Sequence, residues 1–399
     1  MEELLENTVD QLQLDKSTWK PTRFGDVAIQ QKQSVDRDDT ELTRYVKGEH
    51  MGSEDLHLRE WGELTDEYLG PAFIRKFEED DILYGSRRTY LRKVVIAPFS
   101  GITSNTTFVI KANENKIDKR ILPFIMMSEG FTDHSIKNSK GSVNPYINWK
   151  DIANYEFLLP TKDQQAQLAE LLWAMDEVIE REKTLEQTLF STKFSVLENK
   201  IIEFGHGKAQ QTFKDLGRWV SGGTPSKKNK DYWDNVSIPW ITPKDMKGDY
   251  LDASIDFIST TAVLENKASL FPKGSTVLVW RSGILQHTLP ISRVEKEFTV
   301  NQDLKVFVPN NDLFIEEFVR IYLKVFSERI RRECVKEGTT VQSIDTASFM
   351  KFSVPEIDHF LQKEIINEEA AFEAGIKKGK TKLFSSQSLQ KSLINQIFG

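Results

Sequence analysis

The chain has 399 residues, a mass of 46.0 kDa and a formal net charge of −7. That length exceeds one ordinary core and suits two or three domains, and 39% hydrophobic with 28% charged residues describes a chain that folds. The charge excludes a uniformly basic nucleic-acid coat, although a local basic face is compatible with it. A single cysteine, Cys334, excludes a disulfide framework, a four-cysteine zinc site and a CxxC redox pair. No apolar run reaches the ~18 residues that span a bilayer. The first six residues are acidic where a signal peptide would be basic. The expectation is a soluble cytoplasmic protein with no membrane partner.

In chain order, residues 1–20 form an N-terminal arm with a short helix predicted over 4–14. A first globular domain follows at 21–161. Its β-branched and aromatic runs predict strands at 94–97 and 107–111, with a helix over 118–129. Residues 162–205 then carry Leu168, Leu171, Met175, Val178, Leu185 and Leu189 at spacings of three, four and seven, with no Pro until the next domain. A second globular domain at 206–356 predicts strands at 276–280 and 304–308 and a helix over 313–330. Residues 357–399 close with a weaker stripe, Ile365, Phe372, Ile376, Leu383 and Leu393, that runs through Gly379. Both stripes read as amphipathic helices of coiled-coil length. The alternative is two surface helices packed separately on their own domains.

The chain also repeats itself. Residues 45–51 (YVKGEHM) align with 240–246 (WITPKDM), 81–87 (DILYGSR) with 276–281 (TVLVWR), and 157–160 (FLLP) with 352–355 (FSVP). Met51 and Met246, Leu83 and Leu278, and Pro160 and Pro355 are each 195 positions apart. A period that long is a duplicated domain and not a stacked array. The expected fold is therefore α+β: two repeated, strand-rich mixed domains separated by two long helices that pair as an antiparallel coiled coil.

Catalytic readings fail one by one. Asn144-Pro145-Tyr146 resembles an amine-holding loop of amino-methyltransferases, but the second Pro is missing and no glycine-rich strand–turn–helix is present for a methyl donor; an Asn-Pro turn is the simpler reading. Asp303-x-Lys305 matches half of a nuclease motif without an upstream acidic partner. Residues 221–227 (SGGTPSK) lack the spacing of a phosphate loop. The six histidines show no i,i+4 pair, so no metal site is expected.

Nucleic-acid binding has better support. Lys227, Lys228 and Lys230 precede Tyr232 and Trp233, and Arg87, Arg88, Arg92 and Lys93 surround Tyr90. Basic residues interleaved with aromatics suit phosphate neutralisation and base-edge reading. Residues 207–355 carry 21 basic and 18 acidic residues, while residues 161–205 carry 5 and 9. The second domain is mildly basic and the linking helix acidic.

These residues resemble the DNA-specificity subunits of type I restriction–modification systems. The second copy carries Leu216-Gly217, then Gly223-Thr-Pro-Ser-Lys227, Asp231-Tyr-Trp233, Ile238 to Met246 (IPWITPKDM), the 277–280 run and Lys336 to Ile344 (KEGTTVQSI). The first copy, 24–160, is similar in order but lacks the Gly-Gly-Thr-Pro loop. The resemblance implies a protein with no catalytic residues and no cofactor of its own. Its two target-recognition domains would each read half of a split double-stranded DNA target. The helices would bind two copies of an adenine-N6 methyltransferase that carries S-adenosylmethionine. Two motor–nuclease subunits that use ATP and Mg would join through them. DNA contacts are expected from Arg87, Arg88, Tyr90, Arg92 and Lys93 in the first copy. In the second they are expected from Thr224, Ser226, Lys227, Lys228, Lys230, Lys244, Arg281, Gln286 and Gln342. The helix stripes above would carry helix pairing and methyltransferase binding. Two alternatives are a subunit of a modification-only system and a cytoplasmic coiled-coil scaffold that binds no DNA.

Overall fold

The computed structural model describes residues 14–36, 39–309, 313–336 and 341–399. The helix expected over 4–14 lies outside the described residues, apart from Leu14. The chain divides into two compact units, Met1–Thr184 with Lys380–Gly399, and Leu185–Gly379.

The first unit contains two four-stranded sheets. One has the spatial order Ala28–Gln31, Thr107–Ala112, Ile82–Gly85, Val94–Ile96; the other runs Gly62–Glu63, Arg44–Val46, Gly101–Ser104, Phe73–Phe77. The central strands Ile82–Gly85 and Thr107–Ala112 are apolar at nearly every position because both of their faces are covered. Tyr84 and Ile110 join the core that holds Phe124 and Phe131 of the helices Leu122–Met127 and Glu129–Lys137. Leu83 and Val109 point the other way, against Val46, Met51 and Phe77 of the second sheet. The helix expected over 118–129 is thus two shorter ones. The break falls at Ser128, whose extended backbone ends one helix and whose hydroxyl accepts the Phe131 N–H of the next.

The second unit repeats this plan. Its five-stranded sheet runs Gly217–Ser221, Leu304–Pro309, Thr276–Val279, Ile291–Val294, Tyr250–Leu251, and its smaller sheet runs Asp256–Ile258, Ile238–Ile241, Thr299–Val300. Strand order and the parallel or antiparallel sense of each shared pair match the first unit. The Phe73–Phe77 strand shrinks in the second unit to one antiparallel bridge, Phe271 with Phe298, where Phe77 pairs with Gly101 in the first. The duplication is one of topology.

Hydrogen-bond register corrects two aligned segments. Leu83 pairs with Val109 as Val277 pairs with Val306, so Leu83 corresponds to Val277 and not to Leu278. Phe24 N–H donates to the Tyr155 carbonyl, and Phe213 N–H donates to the Phe352 carbonyl. Phe352 therefore corresponds to Tyr155 and not to Phe157. The FLLP and FSVP segments share letters two residues out of step. A two-residue shift keeps every side chain on its face of a strand, so apolar patterning cannot detect it.

The long helices are Lys162–Gly205 and His359–Phe398. In the first unit, Gln390 Nε2 donates to the Leu172 carbonyl at 3.4 Å and Lys382 pairs with Glu182 at 3.4 Å. In the second, Lys193 pairs with Glu373 at 2.5 Å, and Lys200 with Glu364 and Glu368 at 3.0 and 2.8 Å. Rising numbers on one helix meet falling numbers on the other, so the helices pair antiparallel in each unit. The predicted seam needs correction. Leu168, Met175, Ile365, Ile376 and Leu393 are buried, whereas Leu171, Val178, Leu189, Phe372 and Leu383 are half-buried and Leu185 is 55% exposed. The buried stripe follows Leu168, Leu172, Met175 and Ile179, then Leu197 and Ile201. A helix of 3.6 residues per turn drifts off a strict heptad, and these faces also cover the globular cores. No helix among the described residues is long and apolar enough to cross a membrane.

Candidate nucleic-acid interface

In each copy the turn that leaves the central strand is fixed by the same peptide hydrogen bonds. In the first, Ser86 N–H donates to the Thr106 carbonyl, Ile147 N–H to the Ser86 carbonyl and Arg88 N–H to the Pro145 carbonyl. In the second, Trp280 N–H donates to Asp303, Ile344 N–H to Trp280 and Ser282 N–H to Gln342. Residue for residue, Arg87 stands where Arg281 stands. Each bridges to the segment that precedes the next helix, at Tyr146 and at Ser343 respectively. Both arginines are exposed.

Their surroundings differ in charge. Arg281 Nε and Nη2 each lie 2.7 Å from Asp303 Oδ1. Thr106 occupies that place in the first copy, and no ion pair of Arg87 is present among the described residues. Asp303 is thereby engaged with an arginine, while Lys305 lies 4.4 Å from the Trp280 ring centre and donates to the Trp219 carbonyl. Burial pushes the Lys305 ammonium below its usual pKa. Nearby, the Lys336 ammonium, 2.6 Å from Asp345, and the Ser348 hydrogen bonds draw that carboxyl down to about 2.

The first-copy basic cluster splits into two groups. Arg88 and Arg92 flank the short turn Thr89–Leu91 and both take left-handed backbone, with φ of 50° and 51°. This turn throws Tyr90 outward, 52% exposed, beside exposed Arg87 and Arg88. Arg92 turns inward instead. Its guanidinium pairs with Glu54 at 2.7 Å and donates to the Met127 carbonyl at 2.7 Å. Lys93 donates to the Gly48 carbonyl. These two hold the fold, because the left-handed residues break the alternation that a plain sequence reading assumes.

In the second copy the lysine loop is built on two tryptophans. Trp233 Nε1 donates to the Ser226 carbonyl at 3.3 Å and Trp240 Nε1 to the Gly223 carbonyl at 3.0 Å, and the two rings meet edge-on at 5.2 Å. Lys227 sits 5.9 Å from the Trp233 ring centre, and Ser226, Lys227, Lys228 and Lys230 are exposed. A Cβ on Gly222 would lie 1.8 Å from the Val300 carbonyl oxygen, and Gly223 N–H donates to that same oxygen. Only glycine allows this loop onto the Thr299–Val300 strand. Thr224 Oγ1 donates to Gln302 Oε1 at 2.5 Å. Lys244 is exposed on a turn that Asp245 closes by accepting the Thr242 and Ile255 N–H groups. Gln286 is exposed and accepts from Arg331 through its carbonyl. Arg281 thus meets Asp303 and Thr224 meets Gln302, Gln342 stands beside Arg281 with its carbonyl accepting the Ser282 N–H, and Gln286 belongs to the separate short turn Gly283–Gln286.

Asp55, His57 and Glu180 form the cluster whose donor atoms could hold a cation. Arg59 already bridges Asp55 and Glu180, at 3.0 and 2.7 Å, and Lys183 pairs with both at 3.3 and 2.9 Å. Two cations hold the place a metal would take. Sequence reading overlooked Asn105 and Gln302, which occupy matching turns; the repeat register was the signal that could have found them.

Known proteins similar to this chain agree on its kind. The type I restriction modification DNA specificity domain matches it twice, at residues 16–190 and 208–381. The Escherichia coli EcoR124I/EcoR124II type I restriction enzyme specificity subunit is 34% identical over 175 residues, which cover 44% of this chain and 43% of that one. The chain thus matches less than half of that relative's length. The Haemophilus influenzae HindI specificity subunit is 19% identical over 437 aligned positions, covering 88% and 93% of the two chains. A chain solved in work on complex assembly and conformational transition of the type I R-M system shares the fold. Its TM-score is 0.58 at 14% identity, covering 95% of this chain and 97% of that one. With the family's domain present at both places where the topology repeats, the chain belongs to the type I restriction–modification specificity subunits.

Proposed function

We propose that this chain is the non-catalytic, cytoplasmic subunit that selects the DNA target of a type I restriction–modification complex. Domain 21–161 reads one half of a split duplex target and domain 206–356 reads the other. The paired helices hold the domains and offer surfaces to two adenine-N6 methyltransferase subunits, which bring S-adenosylmethionine. Two motor–nuclease subunits, using ATP and Mg, join through those partners. The observation that carries this reading is the equivalence of Arg87 and Arg281. A duplicated scaffold holds an exposed arginine at the same turn in both copies, as two independent readers of duplex DNA would need. Exposed Arg88, Tyr90 and Lys227 to Lys230 extend each site toward phosphates.

The test is a domain exchange. Replacing residues 24–160 with the matching domain of a relative should change one half of the motif methylated in cells and leave the other half intact. An exchange that rewrites both halves would sink the modular reading. Transfer of labelled methyl groups by the isolated chain would sink the non-catalytic one.

A further inference from the structure

We infer that Asn105 and Gln302 are matched base-reading residues, each recognising an adenine edge in the half of the duplex that its own copy meets. The inference rests on the DNA-recognition reading above. Each residue opens a two-residue turn that carries the chain from one sheet of its unit to the other. Asn105 lies between the strands Gly101–Ser104 and Thr107–Ala112, and Gln302 lies between Thr299–Val300 and Leu304–Pro309. Thr106 and Asp303, which follow them, accept the equivalent N–H groups of Ser86 and Trp280, so the two turns correspond residue by residue.

Both side chains are exposed. The residues beside them have changed between the copies: Ser104 and Thr106 in one, Asn301 and Asp303 in the other. The carboxamide has not. Turn chemistry accounts for Asn at such a place but not for Gln, which is no turn former. Each carboxamide also stands next to the arginine site, through the peptide bonds from Ser86 and Trp280.

The chemistry then selects a base. A carboxamide donates and accepts side by side, which matches the N7 acceptor and N6 amine of adenine in the major groove; guanine offers two acceptors there and suits the adjacent arginine. Gln302 is also oriented in advance. Its Oε1 accepts from Thr224 Oγ1 at 2.5 Å, which leaves a second lone pair and both amide hydrogens free for a base. Having no charge, the two amides add nothing to phosphate attraction. Changing them should alter which base is chosen and not how firmly the backbone is held.

The experiment enriches a randomised duplex pool on the full chain and on Gln302→Ala, Gln302→Glu and Asn105→Ala, and sequences the retained DNA. Gln302→Ala should lose preference for an A·T pair at one position of one half-site, on the order of tenfold. Gln302→Glu should move that preference toward cytosine, whose N4 amine a carboxylate accepts. Asn105→Ala should act in the other half only. Melting temperatures should not move, since both side chains are exposed and the turns are held by backbone. Unchanged motifs in all three variants, or changes at G·C positions alone, would overturn the inference while leaving DNA recognition standing. Failure of the unaltered chain to enrich any sequence would instead overturn DNA recognition itself.

Discussion

The two copies solve one problem differently: what to lay along the strand that leads into the Asn105 or the Gln302 turn. In the first, the strand Phe73–Phe77 pairs with Gly101–Ser104 and then staples the segment after the opening strand, with Val35 N–H donating to Ile74 and Lys76 N–H to Gln33. In the second, Gly222 and Gly223 bring the lysine loop directly onto Val300. The loop that follows is therefore backed by a strand in one copy and by bare backbone in the other. A shared scaffold can carry unlike loops because strand order and peptide register are held by the core, which neither loop enters.

That difference can be broken at one atom. Gly222→Ala should destabilise the second copy by about 3 kcal/mol, since the new Cβ forces backbone apart in a packed region. Gly48→Ala in the first copy, with nothing near the added Cβ, should fall within about 0.5 kcal/mol of the parent. Thermal unfolding of the two variants checks both, and equal melting temperatures would refute the role given to Gly222.

Charge separates the copies next. Replacing Lys227, Lys228 and Lys230 with Ala should weaken duplex binding. It should also flatten the plot of log affinity against log salt by about 0.9 for each phosphate that is no longer neutralised. Binding titrations at several salt concentrations measure this, and an unchanged slope would return the lysines to ordinary solvated surface.

The smallest expected effect is a pH dependence confined to the first copy. His57 Nε2 lies 2.7 Å from Asp176 on the long helix, and that carboxylate holds the imidazolium above its usual pKa. Glu180 and Asp55 add to this, with Arg59 and Lys183 close by. The protonated form is the one favoured by folding. Its contribution is complete below the unfolded pKa of about 6.5 and is lost as pH rises through the higher folded value. The second copy ties its own stretch of the two helices with the Lys193–Glu373 and Lys200–Glu364 pairs. Unfolding between pH 6 and 8 should show a loss that Asp176→Asn abolishes; a loss that survives the substitution would place its origin elsewhere.

Much of this was legible in the sequence. β-branched runs marked the four strands expected from them, and the long helices lacked proline. The matched segments that end in Arg87 and Arg281 located the equivalent turns. Register was not legible, because strands buried on both faces look alike after a two-residue slip. Nor was the direction of Arg92 and Lys93, which depends on two non-glycine residues in left-handed backbone. The helix seam was half legible. Leu185 has the right spacing and the wrong face, a distinction that only the packing of the neighbouring core decides.

The order of segments along the chain has a consequence for biosynthesis. Leu393, Ile394, Ile397 and Phe398 lie in the core of the first unit, and the Phe398 carbonyl accepts from the Tyr155 hydroxyl at 3.2 Å. The ribosome must therefore make the whole of Leu185–Gly379 before the first unit receives its last wall. At about 5–20 residues per second that delay is on the order of tens of seconds. Through that interval the nascent first domain presents an open apolar face, which invites chaperone capture. The second unit has both of its helix halves in hand as soon as it emerges, so the copy translated later is the one that can close first.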